Sequence, residues 1–214
     1  MVINAPDANS QAVAEHTIGL MLSLLRKYPQ AFSSMKEGLW IKKELTGKEL
    51  FGKTVGILGF GHIGKKVAKI LEAFGAKVIV FSRSYKTVEY KDLFSQSDIL
   101  TVHLVLNNET RGCITQNELV LMKPTAFLVN ASRGEVIVEK DLLEILSQKL
   151  IAGAALDVYW LEPLPQESRF RVLDNCILTP HIGASTKEAL VRASLSVAED
   201  FIKYYTGEIP INKI

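Results

Sequence analysis

An apolar run, Thr54-Val55-Gly56-Ile57-Leu58, passes directly into Gly59-Phe60-Gly61-His62-Ile63-Gly64 and then into the helically spaced stretch IGKKVAKILEAFG. This order of strand, glycine loop and helix restricts the chain more than any other part of it. A short β-branched run without a polar face suits a strand buried on both sides. Such strands are joined through right-handed helical crossovers into a parallel sheet. The glycines have separate tasks. Gly59 permits the tight turn, Gly61 lets the backbone approach an anion, and Gly64 lets helix and strand pack closely. The free N–H groups at the helix N-terminus then suit the pyrophosphate of a dinucleotide.

The alternation continues to the end of the chain. AKVIVFSR, DILTVHLVL, AFLVNAS, IAGAALDVY and NCILTPHIG read as further strands, with helices at KDLFSQS, TQNELVLM and EKDLLEILSQKL between them. A closing helix is predicted over 186–206. An opening helix is predicted over 11–27, where wide apolar coverage suits a core or a subunit interface. Residues 28–52 read as an arm, and 38–53 are the least periodic part. The predicted fold is α/β, a doubly wound parallel sheet of the Rossmann type, with 1–214 as one dinucleotide-binding domain.

Bulk properties exclude several function classes. With 25 basic and 23 acidic residues the net charge is +2, and no basic run suggests nucleic acid. The apolar stretch 17–25 is too short to span a bilayer. It follows Glu15 and His16 rather than a basic segment, unlike a signal peptide. Cys113 and Cys176 lie on different elements and outside any CxxC pair. Two reduced thiols in the cytoplasm are expected, and no metal site.

Dinucleotide folds that prefer NAD place an acidic residue at the end of the second strand. Here that strand ends Phe81-Ser82-Arg83-Ser84, without a carboxylate. Ser82 can donate a hydrogen bond and Arg83 can meet a 2′-phosphate, so NADP is the expected cofactor, with NAD possible. Three later strand ends also carry polar groups: Arg133 after the fourth, Asp157 and Glu162 after the fifth, and His181 after the sixth. Each has an ordinary structural use as a loop charge, a cap, a turn residue or a core imidazole. Together they mark the carboxyl edge of the sheet, where ligands bind in open parallel folds.

The stretches NAPDANSQAVAEHTIGLML, GKTVGILGFGHIG, NASRGEVI, GAALDVYWLEPLP and LTPHIGASTKEA follow one another between Asn4 and Ala189. They closely resemble the D-isomer-specific 2-hydroxyacid dehydrogenases. The resemblance implies hydride transfer between NAD(P)H and a 2-keto or D-2-hydroxy acid. Arg133 would bind the substrate carboxylate, His181 would be the acid/base and Glu162 its acidic partner. Glu162 also argues against the formate dehydrogenase branch, which lacks a carboxylate there. Asp157 and the backbone at Ala131 would hold the nicotinamide carboxamide, and His103 and Thr110 would line the adenosine side. His62, Ile63, Arg133, His181 and Ala184 complete the cofactor residues implied, with Gly59, Gly61, Gly64, Ser82 and Arg83. The family's substrate domain is built mostly from a front segment preceding the helix at 11–27, so most of that domain is expected to be absent. A homodimer through 11–27 and the arm is implied too. A non-catalytic, dinucleotide-sensing module, like corepressor relatives of the family, is the alternative; a pure scaffold needs none of Arg133, Glu162 and His181.

Overall fold

A computed structural model describes residues 2–212; Met1, Lys213 and Ile214, which the expected domain includes, lie outside the described residues. Two helices come first, α1 (Ser10–Arg26) and α2 (Tyr28–Lys36). Then follow β1 (Thr54–Leu58), α3 (His62–Ala73), β2 (Lys77–Phe81), α4 (Tyr90–Gln96) and β3 (Ile99–Val102). The chain continues through α5 (Gln116–Leu119), β4 (Phe127–Asn130), α6 (Glu139–Ser147), β5 (Gly153–Leu156), β6 (Cys176–Leu178) and α7 (Lys187–Tyr205). Among the described residues the strands form one sheet in the order β2-β1-β3-β4-β5-β6, every neighbouring pair parallel. The order reverses between β1 and β3, which opens a crevice at the carboxyl ends of those strands.

Alternate side chains of each strand serve opposite layers, as the two-residue period of a strand requires. Ile57, Val129 and Ala155 join one core with Ile18, Met21 and Leu25 of α1 and Val67 and Leu71 of α3. Leu58, Leu128 and Leu156 join the other, under Phe94 of α4, Leu119 of α5 and Ile145 of α6. Two differences from the sequence reading follow. The apolar face of α1 is consumed inside this chain, so α1 does not need a second copy to cover it. The arm expected at 28–52 also contains a helix. Lys27 adopts a left-handed conformation (φ 54°) that ends α1, and Pro29 sits in the first turn of α2, where its missing N–H costs nothing. The arm's apolar side chains stay in water, with Trp40 78% exposed and Phe32, Met35 and Phe51 also open.

Strand register decides where the chemistry lies. Phe81, Leu58, Val102, Asn130, Leu156 and Leu178 are partners across the six strands. The residues that follow them are Ser82, Gly59, His103, Ala131, Asp157 and Thr179. Residues far apart in sequence therefore form one row at the carboxyl edge.

Candidate active site

β1 gives way to Gly59, whose φ of 98° is open to glycine and strained for other residues; a Cβ there would stand 2.5 Å from the His103 carbonyl oxygen. Gly64 packs against the Gly59 carbonyl with no room for a side chain, whereas a Cβ at Gly61 would meet nothing within 4 Å. No side chain caps α3, so its first N–H groups face open space above the loop. His62 opens α3, and its Nδ1 lies 3.5 Å from Asp7 Oδ1.

A cleft of about 710 Å³ lies along the row of strand ends. Ile63, His103, Ala131, Arg133, Asp157, His181 and Ala184 all line it. Asn4, Ala5 and Pro6 line it too, which sequence reasoning passed over although NAPDAN was in plain view. His103 is buried. Its Nε2 lies 3.0 Å from Thr101 Oγ1, and its Nδ1 has no partner among the described residues. Burial pulls its pKa down to about 4, so it is neutral near pH 7.

The exit of β4 is shaped by Asn130. Its Oδ1 accepts from the Ser132 N–H (3.0 Å) and hydroxyl (2.8 Å), and its Nδ2 donates to the Arg133 carbonyl (2.9 Å). This local cage presents Arg133 at the surface of the cleft. The guanidinium donates to the Ser132 carbonyl at 2.6 Å and has no carboxylate partner among the described residues.

Asp157 is 1% exposed and organises the turn after β6. Oδ1 accepts from Thr179 Oγ1 (2.6 Å) and the Ile182 N–H (2.9 Å), and Oδ2 from the Gly183 N–H (2.8 Å). Burial alone would raise this carboxyl. His16, Thr179 and the two N–H groups outweigh it and hold it below the usual carboxylate range. His16 of α1, to which the sequence reading gave no role, places Nε2 3.3 Å from Asp157 Oδ1 and 3.3 Å from Thr179 Oγ1. Three of these contacts are made by Asp157 to the residues flanking His181, so the carboxylate's first task is to hold that turn.

His181 itself takes φ 53°. β6 ends at Leu178, so the imidazole is displayed by a left-handed residue in the following turn rather than by a strand end. Such backbone persists when its surroundings over-determine it, and here Asp157 grips the chain on both sides. His181 Nδ1 lies 2.6 Å from Glu162 Oε2, and Glu162 Oε1 accepts from the Tyr159 N–H at 3.0 Å. Burial works to raise the Glu162 carboxyl, but the bonds from His181 and Tyr159 prevail and hold it low. Arg171 donates to the carbonyls of Pro165 (2.9 Å) and Leu164 (2.8 Å), which closes the loop carrying Glu162. His181 Nε2 has no protein partner among the described residues. His181 lines both the large cleft and a second one of about 640 Å³ lined also by Tyr159, Glu162, Arg171 and Thr179. A ring nitrogen with a carboxylate behind it can give or take a proton at its other nitrogen.

Two expected residues fall outside this constellation. The Ser82 hydroxyl is engaged within its own turn, donating to the Tyr85 carbonyl (2.7 Å) and accepting from the Tyr85 N–H (3.0 Å). It is not free to donate to a ligand. The Thr110 hydroxyl donates to the Val105 carbonyl (2.6 Å) and accepts from the Asn107 N–H (2.9 Å), stapling its loop.

A glycine loop at the reversal point of a parallel sheet, opening on a cleft along the strand ends, defines a Rossmann dinucleotide-binding domain. Residues 18–183 match the family model described as D-isomer specific 2-hydroxyacid dehydrogenase, NAD binding domain. The chain belongs to that family. It is 42% identical to a D-3-phosphoglycerate dehydrogenase of Methanocaldococcus jannaschii, over all of this chain and 43% of that protein. It is also 42% identical to a hydroxypyruvate reductase of Thermotoga maritima, over 94% of this chain and 69% of the relative. An acyclic imino acid reductase, solved in complex with NADPH and D-Arg, superposes with a TM-score of 0.93 at 34% identity, covering all of this chain and 71% of that one. The chain thus spans less than half of the phosphoglycerate dehydrogenase and about two thirds of the reductases. Among the described residues no helix is long and apolar enough to cross a membrane, and no group of three or more His, Cys, Asp or Glu side chains could hold a metal ion.

Proposed function

We propose that this chain is the cofactor-binding and catalytic portion of a cytoplasmic reductase that converts 2-keto acids to D-2-hydroxy acids with NAD(P)H. The observation that carries this reading is the 2.6 Å His181–Glu162 pair, opening on the same cleft as Arg133. A scaffold without chemistry has no use for it. The site fits a dinucleotide on three counts: open space above Gly61, an uncapped α3 and the unpartnered Nδ1 of His103. The 59–64 backbone would hold the pyrophosphate, and His103, Ala131 and Ala184 would line the path toward His181. Among the described residues Asp157 Oδ2 accepts a single bond, from the Gly183 N–H, which leaves a lone pair for a carboxamide.

When bound, the nicotinamide supplies the hydride delivered to the keto carbon. Arg133 binds the substrate carboxylate, and its charge also stabilises the oxygen that becomes negative. His181 gives that oxygen its proton from Nε2. Glu162 accepts from Nδ1–H and so fixes which nitrogen faces the substrate. Mixing the purified chain with NADPH and glyoxylate or hydroxypyruvate tests the assignment. Loss of NADPH absorbance that depends on the keto acid is expected, and turnover by a His181→Ala variant at the wild-type rate would refute it.

NADPH is proposed as the preferred cofactor. Since Ser82 is committed to its turn, Arg83 alone supports the choice. Arg83→Ala is expected to weaken NADPH by about 1–3 kcal/mol and to leave NADH nearly unchanged, read by fluorescence titration. Equal or tighter binding of NADH by the wild type would count against it. A homodimer is proposed on the exposed arm, where Phe32, Met35, Leu39 and Trp40 form an apolar surface that water disfavours. Light scattering at micromolar concentration should give twice the chain mass, and a monomer would exclude the assembly.

A further inference from the structure

The row order β2-β1-β3 places the loops after β2 and β3 on either side of the loop after β1. Arg83 follows β2 and Glu109 follows β3. Their side chains meet, Arg83 Nη2 to Glu109 Oε2 at 2.7 Å. The pair therefore bridges the carboxyl end of β1, over the point where the 59–64 loop departs. Both partners are anchored from below. The Arg83 turn is tied by Ser82 to Tyr85, and the Tyr85 ring stacks on Phe60 of the glycine loop with centroids 4.9 Å apart. Asn107 Oδ1 accepts from the N–H groups of Glu109 (2.9 Å) and Thr110 (3.0 Å), which fixes the backbone beneath the carboxylate. The side chains themselves are 74% and 71% exposed. An ion pair this open to water is weak and yields readily to a ligand.

The end of β2 lacks the carboxylate that would accept from a ribose 2′-hydroxyl, and the β3 loop brings one to the same place. We infer that Glu109 is the residue that limits discrimination for NADPH over NADH. This rests on the dinucleotide reading above and on the Arg83–Glu109 geometry. Arg83 attracts a 2′-phosphate. Glu109 repels it, competes with it for the guanidinium, and can accept a hydrogen bond from an unphosphorylated ribose. The two side chains act in opposite directions on one substituent, so the net preference is smaller than Arg83 alone would give.

The test is fluorescence titration of the purified chain with NADPH and NADH, for the wild type, Glu109→Gln and Glu89→Gln. Glu89 is an exposed carboxylate paired with Lys86 at 2.7 Å, and its replacement removes the same charge outside the clasp. Glu109→Gln is expected to raise the NADPH-to-NADH affinity ratio roughly tenfold, tightening NADPH and loosening NADH. Glu89→Gln should leave the ratio within about twofold. An unchanged ratio in Glu109→Gln overturns the inference, and an equal rise in Glu89→Gln overturns it as a general charge effect. If the wild type binds neither dinucleotide, the cofactor reading fails first and this one with it. Thermal unfolding of each variant establishes that the titrated protein is folded.

Discussion

Asp157→Ala is expected to lower the folding stability by about 3–5 kcal/mol, the largest effect of any single side-chain truncation near the site. The carboxylate is buried and accepts from Thr179 Oγ1, Ile182 N–H and Gly183 N–H. Its removal leaves those donors unpaired, and each lost partner in a buried site costs about 1–3 kcal/mol. For a chain of this size, the midpoint of thermal unfolding should fall by about 10 °C. A shift under 2 °C would mean that the turn is held by something else. The effect also has a pH signature. The folded carboxyl titrates below its ordinary value, so its contribution is present above the unfolded value of about 4 and is lost as pH falls through the folded one. Wild type should lose more stability than Asp157→Asn on acidification from pH 5 to pH 3. Parallel losses in the two proteins would contradict this.

His181→Ala should lower the rate of keto acid reduction by about 10²–10⁴-fold, the usual worth of a positioned acid/base. Dinucleotide affinity should change much less, because the 59–64 backbone and the start of α3, rather than the imidazole, would hold the pyrophosphate. Glu162→Gln is the more informative partner variant. It retains a hydrogen-bond partner for Nδ1 but removes the negative charge beside the ring, so its rate should fall less than that of His181→Ala. Equal losses in both would assign Glu162 a role beyond orienting His181. A stopped assay with NADPH and hydroxypyruvate reads both, and a titration of NADPH in parallel separates chemistry from binding.

The fold was legible because its signal is local. Six β-branched or small apolar runs alternate with helical spacing, and each run contains a strand, although β3 and β6 stop four and five residues short of the expected ends. Glycine at 59 and 64 declares a turn and a close approach that side chains forbid, and both features are in the fold. Arg133, Asp157 and His181, marked in the sequence by their places after strands, line one cleft, although β6 stops at Leu178 and leaves His181 in the following turn. Contacts between distant segments were not legible. His16 lies 141 positions before Asp157 in the chain (157 − 16) and reaches it only because α1 packs over β4 and β5. Its neighbours in sequence are those of an ordinary apolar helix.

Sequence by itself therefore determined the order of elements, the parallel sheet and the residue types presented at its carboxyl edge. These follow from hydrophobic period, glycine positions and the stereochemistry of crossovers, all of which act over a few residues. Only the tertiary structure decided what each polar group is doing. It committed the Ser82 and Thr110 hydroxyls to their own loops, turned Asp157 into the clamp of the His181 turn, and set Glu109 against Arg83. Hydrogen bonds and ion pairs are satisfied by whichever partner is within about 3 Å. That proximity is fixed by strand register and loop packing, and neither is written in the neighbourhood of the residue concerned.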